Sequence, residues 1–352
     1  MAEAEQVLTS KLASEPPGKP VIPSRERRPP KQIRRLPEII THQLELLRIH
    51  HRNVLETMDV EAVHKMRVAT RRLQASLDLL EREMSVRKLK RRLRNWRRTL
   101  SLVRNYDVFL EMLEKETATR GRTRREQFQL VKAKLQEQRA QTAAEVRGFL
   151  EQIDIDKISS RLGITPPAEV SDPGQLETPS VVAVTNGLNV IDERNVAGYG
   201  ADRLDQRLAE FQALVAQSHP TTDPTDLHQL RIAAKRVRYL LEIVTQMGYG
   251  DASRALAWLR SLQDRIGDWH DLEALEEEII TIVSDHEFLK QHLGESSDML
   301  QAADRLQKKK ERLVSLLFPV RVPKHLAITS QRIARALRRH ASRKQAAAEI
   351  GA

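Results

Sequence analysis

The feature that most constrains this chain is a repetition. The run Val63-His64-Lys65-Met66-Arg67-Val68-Ala69-Thr70-Arg71-Arg72-Leu73 recurs 164 residues later as Leu227-His228-Gln229-Leu230-Arg231-Ile232-Ala233-Ala234-Lys235-Arg236-Val237. At the same offset Asp107-Val108 falls on Asp271-Leu272. Two motifs kept in one register imply a duplicated unit, because an insertion between them in either copy would have destroyed the spacing.

The repeated run has a helical period. Stepping about 100° per residue from His64 places Met66, Ala69, Leu73, Leu77 and Leu80 on one apolar stripe about 80° wide. His64, Arg67 and Arg71 occupy a second stripe that runs roughly 10 Å along the axis. The second copy repeats this with Leu230, Ala233, Val237 and Leu241 inward and His228, Arg231 and Lys235 as the polar stripe, and Gln74 and Arg238 extend it at matching positions. Cations at i, i+3 and i+7 repel one another, so an anion is expected beside them. Arg suits phosphate because its planar fork donates in pairs, and an imidazole can donate to the same oxygens.

Composition extends the helical reading to the whole chain. Aromatic residues make up 4% and charged residues 30%, which favours charge-clad helices over strands. The expected fold is all-α: two pseudo-symmetric antiparallel helical bundles from an internal duplication, with a basic cleft between or along them. Helices are expected near 36–57, 60–82, 86–102, 106–119 and 122–153, then near 201–217, 225–247, 251–265, 270–290, 296–317 and 324–345. This divides the chain into a basic, proline-rich tail expected to be disordered (1–35), a first bundle (36–160), a connector (161–200) with room for a small hairpin, a second bundle (201–320) and a basic C-terminal helix or tail (321–352).

Charge narrows the function. Lys and Arg number 59 against 48 Asp and Glu, a net +11, so the first partner to seek is anionic: nucleic acid, a membrane surface or a phosphorylated polymer. From His64 to Arg104 there are 14 cations against three acids, so this stretch alone carries as much net charge as the whole chain. Within it Leu89, Leu93, Trp96 and Leu100 form the core stripe and Arg92 and Arg97 flank it on opposite sides, where they can reach into a cleft. The other cations point outward.

Several classes are excluded. The absence of cysteine rules out a disulfide scaffold, thiolate catalysis and Cys-ligated metal sites. No apolar run approaches the roughly 20 residues of a membrane span, and the N-terminus carries no signal-like segment, so a cytoplasmic location is expected. Asp107 and Asp271 are each expected to open a helix by accepting from first-turn amides. His50-His51 and His270 lack neighbouring ligands for a metal site, and no cofactor is expected. Neither a phosphate loop, a zincin motif, a nucleophile elbow nor an aspartate cluster is present.

The residues resemble the CHAD domain, the conserved histidine α-helical domain. The likeness lies in His64 to Leu73, in its duplicate His228 to Val237, in Arg104-Asn105-Tyr106-Asp107-Val108 and in Gly267-Asp268-Trp269-His270-Asp271, and it covers about 36–320. It departs from the family pattern at Asn105, often Asp there, and in the long 163–200 insert. The resemblance implies two helical bundles around a basic cleft and binding of inorganic polyphosphate. By the same resemblance His64, Arg67, Arg71, Arg72, His228, Arg231, Lys235 and Arg236 map onto ligand-facing positions, and Arg92, Arg97, Arg104 and Arg238 complete the expected site. Some family members follow a triphosphate-tunnel domain marked by a Glu-x-Glu-x-Lys strand. Glu3-Ala4-Glu5-Gln6-Val7 lacks the Lys, so a stand-alone, non-catalytic binder is expected, one that could associate with polyphosphate granules. The alternative is a nucleic-acid-binding basic helical protein, against which stands the scarcity of aromatics for base stacking. A phosphohydrolase using His64 or His228 is disfavoured by the lack of metal-binding carboxylates.

Overall fold

Met58 and Asp59 show how local sequence sets the first helical corner. Met58 adopts a left-handed conformation (φ 50°) and its N–H closes the preceding helix on the Val54 carbonyl. Asp59 then accepts from the Ala62 N–H at 2.7 Å and starts the next helix. The computed structural model describes residues 34–118, 122–164, 188, 191–219 and 224–343. Among them the elements are α1 (Leu36–Thr57), α2 (Val60–Asp78), α3 (Arg87–Ala118), α4 (Arg122–Glu151), α5 (Asp156–Arg161), α6 (Glu193–Gln217), α7 (Pro224–Gln246), α8 (Ser253–Ser284), α9 (His286–Gln291), α10 (Leu293–Leu317) and α11 (Lys324–Arg343). The fold is all-α, with no strand among the described residues. The tail before residue 34 and a hairpin within 165–187 lie outside the described residues.

Helices α1 to α4 pack in sequence on one another, as do α6, α7, α8 and α10, while α2 packs on α7 and α3 on α8. The helices that carry the two matching runs, α2 and α7, begin 164 residues apart, at Val60 and Pro224. Every residue of the expected apolar stripes is buried: Met66, Ala69, Leu73, Leu77 and Leu80, then Leu230, Ala233, Val237 and Leu241. Both stripes enter one core. A second, smaller core joins the C-terminal parts of α3 and α8 to α4 and α10, around Phe109, Val131, Ile279 and Met299.

Two expected breaks are absent. The runs read as 86–102 and 106–119 form the continuous α3, and 251–265 joins most of 270–290 in α8. Asp107 and Asp271 therefore stand inside helices and open none. Asp107 is buried and its Oδ1 accepts from Arg139 Nε of α4 at 2.6 Å, while Arg139 Nη2 donates to the Met58 carbonyl at 3.1 Å. A buried carboxylate needs such a partner, and this one ties α3, α4 and the α1–α2 corner together. At the other end of the insert, α6 begins at Glu193, inside the segment expected to be connector, with Asp192 capping it by accepting from the Arg194 N–H.

Candidate functional site

Because α2 lies against α7, their polar stripes share one neighbourhood. Arg67 on α2 is depressed to about 10 by burial and by the positive fields of Arg71, Arg104, Arg97 and Arg231. Lys235 on α7 is depressed to about 6, by burial and then by Arg231, Arg71, Arg67 and Arg238. Arg97, lowered by burial and by Arg71, is held by its Nη1 donating to Gln74 Oε1 at 2.8 Å. Cations from α2, α3 and α7 thus converge on one cluster.

This cluster lacks the counterions that the chain supplies elsewhere. Arg207 reaches Asp78 at 2.7 Å, Lys310 reaches Glu276 at 2.7 Å and Arg139 reaches Asp107 at 2.6 Å, all with little exposure. Among the described residues Arg67, Arg71, Arg97, Arg104, Arg231 and Lys235 have no carboxylate at ion-pair distance. The Nε of Arg67, Arg71 and Arg231 and the Nη1 of Arg104 are buried without any hydrogen-bond partner. Buried polar groups are nearly always paired, so donors left open together in one place are available to an acceptor.

Two histidine rings border the cluster on the α7–α8 side. His228 and His270 have centroids 5.6 Å apart, and each is lowered first by burial and also by the nearby cations Arg231 and Lys235. His270 Nδ1 also lies 3.7 Å from Glu273. His64, largely exposed, stands at the rim of the α1–α2 groove and is lowered by its partial burial and then by Arg104 and Arg71. Arg231 is lowered by burial, an effect opposed by the field of Asp271. No group of three or more potential metal ligands occurs among the described residues.

The structure therefore brings together Arg67, Arg71, Arg97, Arg104, Arg231 and Lys235, with His64 and His228 at the margins and with Arg238, which is paired with Glu242 at 3.5 Å, beside Lys235. Three expected residues lie apart. Arg72 lines a groove between α1 and α2 with Gln43, His50, Lys65 and His64, so His64 stands between this groove and the cluster. Arg92 lines another between α3 and the α4–α5 corner with Lys157. Arg236 is exposed, and its carbonyl accepts from Arg207. His270 was missed as a neighbour of the cluster; its place three residues after Gly267, on the same helical face, was the available signal.

An all-α protein with a half-buried cluster of cations, most of them without counterions, between two helices of matching sequence pattern is the class that fold and site define. The family model for the CHAD domain matches residues 38–279, and the chain belongs to that family. Among solved structures it is similar to a crystal structure of the CHAD domain from the plant Ricinus communis (22% identity, TM-score 0.52, covering 84% of this chain and 90% of that one). It is also similar to PptA from Streptomyces chartreusis (15% identity, TM-score 0.51, covering 85% and 97%). These likenesses concern the fold. Among curated proteins no match is found. Among the described residues no helix is long and apolar enough to cross a membrane.

Proposed function

We propose that the chain is a non-catalytic binder of inorganic polyphosphate, gripped between α2 and α7 by Arg67, Arg71, Arg97, Arg104, Arg231 and Lys235. The observation that carries this reading is the set of buried guanidinium N–H groups without acceptors. A polyphosphate chain offers closely spaced anionic oxygens on every unit, so one ligand can satisfy donors from three helices at once. Among the described residues the site supplies positive charge and hydrogen-bond donors and no cluster of metal-binding carboxylates, which suits retention of the polymer and its granules better than its hydrolysis.

Nucleic acid is the weaker fit, because Trp96, Trp269 and Phe211 are buried in the core and leave little aromatic surface for stacking. A competition titration of long-chain polyphosphate against duplex DNA at physiological salt tests the reading. Polyphosphate is expected to displace DNA, and the reverse order of affinity would overturn it.

A further inference from the structure

The cluster between α2 and α7 leaves most of the positive charge of α3 unused. From Arg87 to Tyr106 this helix carries nine Lys and Arg and no carboxylate. An ordinary solvated helix face intersperses acids with its cations, as the end of the same helix does where Lys115 pairs with Glu111 at 2.7 Å. Across the outward face of α3 from Arg97 to the opposite flank, the exposed Arg94, Arg98, Arg91 and Arg92 line a groove of about 730 Å³ with Lys157 of α5. One carboxylate lines it, Asp154, and that is engaged as the acceptor of the Lys157 N–H at 2.9 Å. None of these five cations forms an ion pair among the described residues. Arg94 and Arg98, which line the groove, stand three residues before and one residue after Arg97 of the central cluster on α3, so one helix carries both sites.

We propose that this groove is a second contact for the same polymer: a polyphosphate chain held at Arg67 and Arg231 leaves the cluster past Arg97, crosses Arg94 and Arg98, and lies against Arg91, Arg92 and Lys157. The proposal rests on polyphosphate being the ligand of the central cluster. Its chemistry favours a bare phosphate chain over nucleic acid, because the aromatic side chains lining the groove, Trp96 and Phe149, are buried or half-buried and offer no open face to a base. The groove makes chain length the quantity the protein reads: a short oligophosphate fills the cluster, and only a longer chain reaches α5.

The test compares the full chain with the triple variant Arg91→Gln/Arg94→Gln/Arg98→Gln, all exposed positions, with helicity checked by circular dichroism. Long-chain polyphosphate and tripolyphosphate are titrated by calorimetry at several salt concentrations. The long chain is expected to bind about ten- to a hundredfold more weakly, with a salt dependence reduced by about one counterion per Arg removed. Tripolyphosphate affinity is expected to stay unchanged. Equal weakening of both ligands, or of neither, would overturn the groove, as would a loss confined to single-stranded DNA. Arg67→Ala, run beside it, separates the two levels of the argument. If Arg67→Ala weakens both phosphates while the triple variant changes nothing, the groove alone falls; if Arg67→Ala leaves both affinities intact, the central reading falls with it.

Discussion

The guanidinium of Arg231 lies over the backbone of α8 at Gly267. A Cβ at that position would sit 3.3 Å from Nη2 and 3.9 Å from Nε. Glycine inside a helix costs about 1 kcal/mol relative to alanine, so this position accepts a local penalty to let the side chain of α7 lie flat against α8.

Gly267→Ala therefore separates stability from binding. The added methyl improves the helix, and the crowded neighbour is the end of a flexible side chain, which can shift by a few tenths of an ångström. Thermal unfolding is expected to show a gain of about 0.4–1 kcal/mol. Calorimetry is expected to show weaker polyphosphate binding, because the displaced guanidinium no longer aligns with its neighbours. Unchanged affinity would mean that the placement of Arg231 over Gly267 does not matter to the ligand.

Asp107 should behave in the opposite way. It ties α3 to Arg139 and to the α1–α2 corner, and its side chain is fully buried, so it offers no surface to a ligand. Asp107→Ala leaves Arg139 half-buried without its partner and is expected to cost about 3–5 kcal/mol in chemical denaturation. Asp107→Asn keeps an acceptor and should cost less. Polyphosphate affinity of the still-folded Asn variant should match the unmodified protein, and a selective loss of binding would place Asp107 in the site instead.

These two residues also show what the sequence could and could not reveal. The apolar stripes of α2 and α7 followed from helical period alone, because burial of a face depends only on spacing along one element. The pairing of Asp107 with Arg139 bridges two helices, and an acid before an apolar run looks the same whether it caps a helix or sits buried in one. The same limit scattered the expected site residues. The resemblance brought Arg72 into the expected site and period brought in Arg92, but which neighbour a helix flank meets is decided by packing, and α1 and the α4–α5 corner claim them. Arg67 and Arg231 were legible as members of matching stripes, and their mutual field became visible only once α2 lay on α7.

That field leads to a test of whether both copies act on one ligand. A charge-assisted hydrogen bond contributes about 1.5–3 kcal/mol, so Arg67→Ala or Arg231→Ala alone should weaken binding about ten- to a hundredfold. Neither side chain belongs to the apolar stripe, and helicity should be retained. The double variant should lose much more than either single one, with one polymer bound per protein before the change. A stoichiometry of two, with each single variant silencing one site and sparing the other, would defeat the shared site.

Lys235 makes the last prediction one of pH. In the ligand-free protein it titrates at about 6, far below the ordinary lysine value of 10.5, because it is buried among Arg231, Arg71, Arg67 and Arg238. Between these two values the unfolded chain holds a proton that the folded protein has lost, so this residue makes stability rise with pH from about 6 to 10.5 and contributes no slope below about 6. A polyanion reverses the balance by favouring the charged amine. Binding above about pH 6 should therefore take up a proton, and affinity should fall as pH rises, by at most about tenfold per unit. His64, His228 and His270, all lowered, add the same sign of effect at the acid end. Lys235→Met distinguishes the lysine from them. It should remove proton uptake above pH 7, measured by calorimetry in buffers of different ionisation enthalpy, while weakening binding at pH 6. It should also stabilise the ligand-free protein at neutral pH, since an apolar chain replaces a poorly solvated amine. Persistent proton uptake above pH 7 in the variant would show that Lys235 is not the group the polymer recharges.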